Sequence, residues 1–326
     1  MTIETRLTQR LNIEHPIILA PMATASGGRL AGAVADAGGL GLIGGGYCDP
    51  DWIDEEFAVA GNRPIGCGFI TWALAQRLED QPDFLARILE RQPKAVFLSF
   101  ADPAPFAKSI READVPLIVQ IQTLRDAARA VEVGADVVVA QGSEAGGHGE
   151  SRATMTLVPE VADMVAKRGT DTLVAAAGGI ADGRGLAAAL MLGADGVVIG
   201  SRLWASEEAL VHPNMIDAGL MATGDETVRS TVMDIARELG WPERYTARVL
   251  ENDFTRRWHG DIDGLKRDAE HQAARWREAW VAGDTNIANT FVGEAAGLIH
   301  EVEGAGAIVE RIVAEAESLL DGGWKK

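Results

Sequence analysis

The chain has 326 residues, of which 47% are hydrophobic and 24% charged, the profile of a folded globular protein. Its formal net charge of −18 argues against nucleic acid and anionic membranes as partners, because both attract lysine and arginine patches. Cys48 and Cys67 have no metal-ligand spacing, and the polar N-terminus lacks an apolar signal core. We therefore expect a cytoplasmic protein with no metal site and no membrane span.

Eight short apolar runs recur along the first 200 residues, and each ends in glycine, proline or a polar residue. Near-continuous apolar runs are typical of strands in a parallel sheet that is buried on both faces. The predicted strands span residues 16–20, 40–43, 65–69, 95–99, 116–120, 136–140, 172–176 and 196–200.

Segments with helical periodicity lie between these runs, and most end at a glycine, which commonly caps helices. Eight strands that alternate with helices favour an α/β fold of the (β/α)8 TIM-barrel type over an open, doubly wound sheet. The clearest predicted helices span residues 29–37, 83–90, 124–133, 158–167 and 184–192.

The pattern changes after Pro213. Residues 214–282 contain no strand-like run, and we predict helices over 228–239, 243–252 and 265–282, with the tryptophans there as packing residues. The last part, 307–320, predicts an amphipathic closing helix after a return rich in glycine and alanine. We thus expect a barrel of residues 1–213 and 284–326, with a helical insertion, residues 214–283, covering the active-site mouth.

Glycines follow the seventh and eighth predicted strands, where barrel enzymes commonly bind phosphate. Gly178 and Gly179 follow the seventh strand, and Gly200 and Ser201 follow the eighth. Glycine lets backbone N–H groups approach phosphate oxygens, and the serine adds a hydroxyl donor. Each stretch alone is compatible with an ordinary tight turn. Their occurrence at both expected strand ends predicts a phosphate site.

His148 follows the sixth predicted strand, directly behind Gly146 and Gly147. Glycines let a flat ring system approach the backbone, and an imidazole serves as a general base near neutral pH. The alternative is a structural histidine. We predict that His148 points into the barrel mouth beside the phosphate site.

Several motifs, in order along the chain, resemble nitronate monooxygenases, formerly called 2-nitropropane dioxygenases. Flavin-dependent enoyl-ACP reductases carry closely similar motifs. The motifs are EHPIILAPMA at 14–23, AGGLGLIGGG at 37–46, EAGGHGE at 144–150, AAGGIADGRG at 176–185, LGADGVVIGSR at 192–202 and AGDTNIANTFVGEAAGLI at 282–299.

This resemblance implies FMN as the cofactor. A neutral glutamine at position 120, where relatives carry lysine or another polar group near the ring, would stabilise an anionic reduced flavin less than lysine would. Phe291 and Glu294 stand where relatives vary, so their substrate contacts do not carry over. The implied site comprises the catalytic base His148, the ring contacts Ala20, Pro21, Met22, Gly68, Gln120, Ala145 and Gly147, and the phosphate cradle Gly178, Gly179, Gly200 and Ser201.

The implied activity is the oxidation of an alkyl nitronate by FMN and dioxygen to a carbonyl compound and nitrite. His148 would admit neutral nitroalkanes by removing their α-proton. The alternatives are an NAD(P)H-dependent reductase of enoyl thioesters or quinones, and a flavin-binding barrel without turnover. We expect a nitronate or nitroalkane substrate and dioxygen as small-molecule partners, and we leave the use of NAD(P)H and a homodimer open.

Overall fold

The computed structural model describes residues 3–324; residues 1–2 and 325–326, the two ends of the predicted barrel domain, lie outside the described part. Eleven strands occur in it. Eight of them form a parallel sheet, and the other three, β7, β10 and β11, form a small antiparallel sheet. The strands are β1 (Ile17–Leu19), β2 (Leu42–Gly46), β3 (Gly66–Ile70), β4 (Val96–Ser99), β5 (Leu117–Ile121), β6 (Val137–Gln141), β7 (Gly147–Gly149), β8 (Leu173–Ala177), β9 (Gly196–Ile199), β10 (Thr227–Ser230) and β11 (Thr246–Leu250).

The parallel sheet is a TIM barrel, with the strand order β1-β9-β8-β6-β5-β4-β3-β2. The first and last strands of this order meet and close the barrel, because Ile18 of β1 bridges Leu40, just before β2. The Leu19 N–H donates to the Leu40 carbonyl, with 2.9 Å between N and O. All eight predicted barrel strands are confirmed to within a few residues. Their side chains are buried on both faces, except for the half-buried Gln120 on β5, which explains why the runs were apolar without alternation.

Helices connect the barrel strands and lie outside them. The five helices predicted between strands are confirmed as α2, α5, α7, α8 and α9, and the closing helix as α16. The helices are α1 (Arg6–Leu11), α2 (Gly28–Asp36), α3 (Pro50–Ala60), α4 (Thr71–Asp80), α5 (Phe84–Glu90), α6 (Ala104–Glu112), α7 (Leu124–Glu132), α8 (Thr154–Arg168), α9 (Gly183–Met191), α10 (Ser201–Trp204), α11 (Pro213–Met221), α12 (Val232–Ala236), α13 (Asp253–Trp258), α14 (Ile262–Arg267), α15 (Ala269–Ala282) and α16 (Ala305–Ser318).

Local chemistry explains where several of these helices begin and end. The Asp49 side chain accepts N–H bonds from the first turn of α3, whose first residue is Pro50. Thr123 caps α7 in the same way. Gly169 ends α8 at a φ of 64°, a left-handed conformation that glycine adopts without strain.

The barrel has two apolar layers. One fills its interior with side chains such as Phe97, Ile118 and Val139, closed off by Leu7 and Leu11 of α1. The other packs the opposite strand faces against the surrounding helices. Among the described residues, no helix is both long enough and apolar enough to cross a membrane.

The segment between α11 and the return at residue 284 differs from the prediction of helices alone. Residues 228–239 contain only the short helix α12, preceded by β10, and the predicted helix over 243–252 is wrong because β11 occupies it. β10 pairs with β11, and β11 also pairs with β7, the strand that carries His148. Alternating buried positions such as Ala247 and Val249 pack onto the helices of the insertion, and this tertiary partner overrides local propensity.

The insertion also has an apolar core of its own. Buried side chains from its helices and from β11 meet there, separate from the barrel layers. They are Val232, Met233, Ala236, Ala247, Val249, Phe254, Trp258, Leu265 and Trp276.

Candidate active site

A cavity of about 320 Å³ lies at the carboxyl ends of the barrel strands, where TIM barrels place their active sites. Every site residue predicted from the sequence lines this one cavity. The twelve are Ala20, Pro21, Met22, Gly68, Gln120, Ala145, Gly147, His148, Gly178, Gly179, Gly200 and Ser201. Of the two variable positions in the closing motif, Phe291 also lines the cavity, whereas Glu294 forms an ion pair with Arg248 at 2.7 Å.

His148 sits on β7, opposite Ala247 of β11, and is only 8% exposed. Its Nε2 donates to the carboxylate of Asp234 on α12, at 2.9 and 3.0 Å from the two oxygens. Because an ionised carboxylate only accepts hydrogen bonds, Nε2 carries the proton and Nδ1 carries the lone pair of the neutral ring. This assignment leaves Nδ1 as the nitrogen able to take a proton from a substrate.

Burial is the main influence on the protonation of His148 and lowers its pKa below the ordinary 6.5. The hydrogen bond and the charge of Asp234 oppose this lowering, and the nearby charge of Arg237 adds to it. The imidazole is therefore neutral at pH 7, the form that a general base requires.

An indole ring covers the imidazole. Trp241 stacks on His148 with 3.4 Å between ring centroids and 4° between the ring planes. Its Nε1 donates to the Tyr47 hydroxyl at 3.1 Å, and Phe100 meets it edge to face at 5.0 Å. Phe100 follows β4 with a φ of 65°, a conformation that a bulky side chain adopts only when its surroundings enforce it.

The glycines of the cavity wall serve different purposes. Gly147 has a φ of 71°, and a Cβ placed on it would meet no atom within 4 Å, so it borders open space. A Cβ on Gly68 would overlap Pro21 at 2.3 Å, so this glycine lets the loop after β1 pack against β3. Gly146 similarly lets the backbone of Val292 approach closely.

Two of the three glycines predicted to hold the phosphate also have left-handed backbones, since φ is 103° at Gly178 and 76° at Gly179. The third, Gly200, leaves room, because a Cβ there would come no closer than 3.7 Å to Ala20. The Ser201 hydroxyl accepts the Gly293 N–H at 2.9 Å, which leaves its own O–H available to donate into the cavity.

A chain of amides links the barrel strands to His148. Gln120 and Gln122 both donate to the Gln141 carbonyl oxygen, at 3.1 and 2.7 Å, and Gln141 donates to the His148 backbone carbonyl at 3.2 Å. The wall of the cavity beside His148 is therefore held by neutral amides, and Gln120 lines the cavity.

No pattern in the sequence indicated that Asp234, Arg237 and Trp241 belong to the site. All three come from the insertion, and Trp241 was wrongly expected only to fill a core. Nothing in the local sequence marks Asp234 or Arg237 among the many charged residues of this segment. Asp234 reaches His148, and Arg237 and Trp241 reach the cavity, only because β11 pairs with β7 and β10 pairs with β11.

The fold and this cavity define a TIM-barrel enzyme whose buried histidine–aspartate pair faces a wall rich in glycine. The model of the nitronate monooxygenase family matches residues 4–67 and 70–315. The chain belongs to the nitronate monooxygenase family, and it is an oxidoreductase.

Individual relatives agree with this assignment. The nitronate monooxygenase npaC of Metarhizium robertsii is 34% identical, over 93% of this chain and 91% of its own length. The solved structure of FabK from Thermotoga maritima has a TM-score of 0.83 and 33% identity, covering 99% of both chains. The nitroalkane oxidase of Streptomyces ansochromogenes has a TM-score of 0.80 and 26% identity, covering 96% of this chain and 99% of its own.

Proposed function

We propose that this enzyme oxidises alkyl nitronates with bound FMN and dioxygen to a carbonyl compound and nitrite, and that it accepts nitroalkanes after removing their α-proton. The proposal depends above all on the buried His148–Asp234 pair at the wall of a cavity in a chain of this family. Removal of an α-proton requires a positioned base, and the carboxylate of Asp234 holds the imidazole in place.

The cavity residues fit FMN. The open space beside Gly147 accommodates a flat ring, which Ala20, Pro21 and Met22 would contact from the loop after β1. Backbone N–H groups of the cavity glycines and the free O–H of Ser201 would donate hydrogen bonds to phosphate oxygens. The proposed cofactor contacts are Ala20, Pro21, Met22, Gly68, Gln120, Ala145, Gly147, Gly178, Gly179, Gly200 and Ser201.

The proton step follows from the geometry of the pair. The Nδ1 lone pair of His148 takes the proton of the carbon that carries the nitro group, and the C–H electron pair moves onto the nitro oxygens. Asp234 stabilises the resulting imidazolium through Nε2 and holds the ring in position. Bound FMN supplies the electron-accepting chemistry that, with dioxygen, converts the nitronate to products.

We further propose that residues 214–283 act as the cover of this site. The insertion has its own apolar core, and its side chains Arg237, Trp241 and Trp280 line the cavity. A cover excludes water, which strengthens the electrostatic interactions of the buried pair.

The substitution His148→Asn tests the proposal. We expect the variant to keep yellow FMN and to lose on the order of 100- to 10,000-fold in kcat/KM for neutral nitroethane, the usual contribution of a general base. The loss for preformed ethylnitronate should be much smaller, because its proton is already gone. His271→Asn, at an exposed position on α15, is the control. Equal losses on both substrates would exclude the base role.

The second candidate is the NAD(P)H-dependent reductase, with which the similarity to FabK over 99% of the chain is compatible. Anaerobic titration separates the two. Bleaching of the flavin by nitronate alone supports the proposed function, whereas rapid bleaching by NADH or NADPH supports the reductase. A purified protein that is colourless and takes up no FMN contradicts both.

A further inference from the structure

Arg237 places an isolated positive charge at the cavity wall. It follows α12 directly, three residues after Asp234, and residues spaced in this way share one side of a helix. Within residues 3–324, no carboxylate lies within the 4.0 Å of an ion pair from its guanidinium. Nearby, Arg248 is paired with Glu294 at 2.7 Å, and Arg229 donates to the Ser143 carbonyl and the Thr246 hydroxyl.

Aromatic rings hold this guanidinium instead of a carboxylate. Its Cζ lies 5.5 Å from the ring centre of Tyr47, 5.7 Å from that of Trp276 and 5.6 Å from that of Phe291. Cation–π contacts fix the position of an arginine but leave its charge available, and the Tyr47 hydroxyl engages only part of its five N–H donors. These three rings therefore surround a cation that has no carboxylate at ion-pair distance within residues 3–324.

The same cluster connects Arg237 to the base. Tyr47 accepts the Trp241 N–H at 3.1 Å, and Trp241 stacks on His148 at 3.4 Å. Arg237, Tyr47, Trp241 and His148 all line the one cavity. A small substrate within reach of the imidazole is thus also close to the guanidinium.

We propose that Arg237 is the substrate-anion binding residue, which takes the two oxygens of the nitronate, or of another planar anion with two oxygens, in its N–H fork. A guanidinium matches such anions with two parallel hydrogen bonds, as it matches a carboxylate. The inference rests on the proposed function and adds the group that receives the charge. When His148 takes the α-proton, the negative charge develops on the nitro oxygens, where Arg237 stabilises it.

The test uses the complete enzyme with FMN bound and the variants Arg237→Met and Arg237→Lys. Propionate, a planar anion, and propionamide, its neutral analogue of the same shape, are titrated against each variant, and binding is followed by the change in flavin absorbance. We expect propionate binding to weaken on the order of 10- to 100-fold in Arg237→Met and less in Arg237→Lys. Propionamide binding should change little in either variant.

Arg277→Met is the matched control, because this arginine lies on α15 of the same insertion with 66% of its side chain exposed. It should bind both probes as the unmodified enzyme does. Propionate affinity that stays the same across both Arg237 variants would overturn the inference.

Turnover provides the second readout. Arg237→Met should raise KM for ethylnitronate by a factor similar to its loss of propionate affinity. An unchanged KM also overturns the inference. If the unmodified enzyme does not oxidise nitronates at all, the proposed function fails, but the propionate and propionamide titrations still decide whether Arg237 binds planar anions.

Discussion

His148 is held by one group from the barrel and two from the insertion. Gln141 of β6 binds its backbone carbonyl, Asp234 of α12 binds Nε2, and Trp241 covers the ring face. These contacts set the tautomer and the orientation of the imidazole before any substrate arrives. A base that needs no reorganisation contributes more to the rate than a mobile one does.

The pH dependence of the reaction follows from the state of this residue. Burial lowers the pKa of His148, and the proton-accepting form is the neutral ring. For neutral nitroethane, kcat/KM should therefore rise with pH through an apparent pKa below 6.5 and then stay level. A rate profile at several pH values checks this. An acidic limb centred well above 6.5 would contradict it.

Asp234→Asn should shift the acidic limb of the kcat/KM profile, the rise with pH, to still lower pH. The hydrogen bond and charge of Asp234 favour the imidazolium and partly offset the effect of burial, so their loss lowers the pKa of His148 further. The value of kcat/KM at high pH should fall on the order of 100-fold, because no carboxylate then stabilises the imidazolium that forms. Asp253→Asn, at a surface ion pair, serves as the control. A limb that moves to higher pH would refute this role of Asp234.

The strand β7 is an element that its own sequence does not favour. It is three residues long, and two of them are glycines, which have low strand propensity. It forms because β11 provides an antiparallel partner, with Gly147 opposite Arg248 and Gly149 opposite Thr246. The pairing connects the barrel to the insertion at the position of the proposed base.

Gly147→Ala tests the space beside this glycine, and Gly169→Ala is its matched control for backbone strain. Both glycines have positive φ, 71° and 64°, and a Cβ on either meets no atom within 4 Å. Each substitution should cost roughly 1–2 kcal/mol of folding free energy, from the left-handed backbone. Only Gly147→Ala should also weaken binding of FMN and propionate, because its methyl group enters the cavity.

Thermal unfolding and flavin titration of the two variants measure these effects. If both variants bind FMN and propionate as the unmodified enzyme does, the open space beside Gly147 is not used by either ligand. Substantially different losses of stability would show that strain alone does not describe the two positions.

At the scale of the whole molecule, the excess of acidic groups is the dominant electrostatic feature. With a net charge of −18, like charges repel across the surface of the folded chain. The exposed ion pairs, such as Arg63–Asp36 at 2.6 Å, each contribute little to stability. Repulsion is therefore expected to outweigh them at low salt.

Raising NaCl from 10 to 150 mM should raise the melting temperature. Screening shortens the range of the repulsion from about 30 Å to about 8 Å. A relief of about 1 kcal/mol corresponds to roughly 2 °C for a chain of this size. Calorimetry in NaCl and in tetramethylammonium chloride distinguishes general screening from binding of a particular cation. A melting temperature that falls with both salts would mean that the ion pairs outweigh the repulsion.

Much of the barrel and one side of its site were predictable from local sequence. Apolar runs such as Val137–Gln141 are buried on both faces in the barrel, and a strand of that kind leaves a continuous apolar run in the sequence. The residues that follow each strand necessarily meet at one end of the barrel. The convergence of His148, Gly178 and Ser201 on one cavity was therefore already implied by their positions after strands.

The other side of the site was decided only by tertiary structure. The predicted helix over 243–252 is a strand because it pairs with β7, and such pairing between distant segments leaves no periodic signal within the segment itself. That pairing brings Asp234 to the imidazole and Trp241 onto its face across a sequence separation of more than 80 residues. By itself, the sequence determined which residues end the barrel strands, because burial on two faces is a local constraint. Only the folded chain decided which charges and rings surround the base, because those neighbours are chosen by long-range packing.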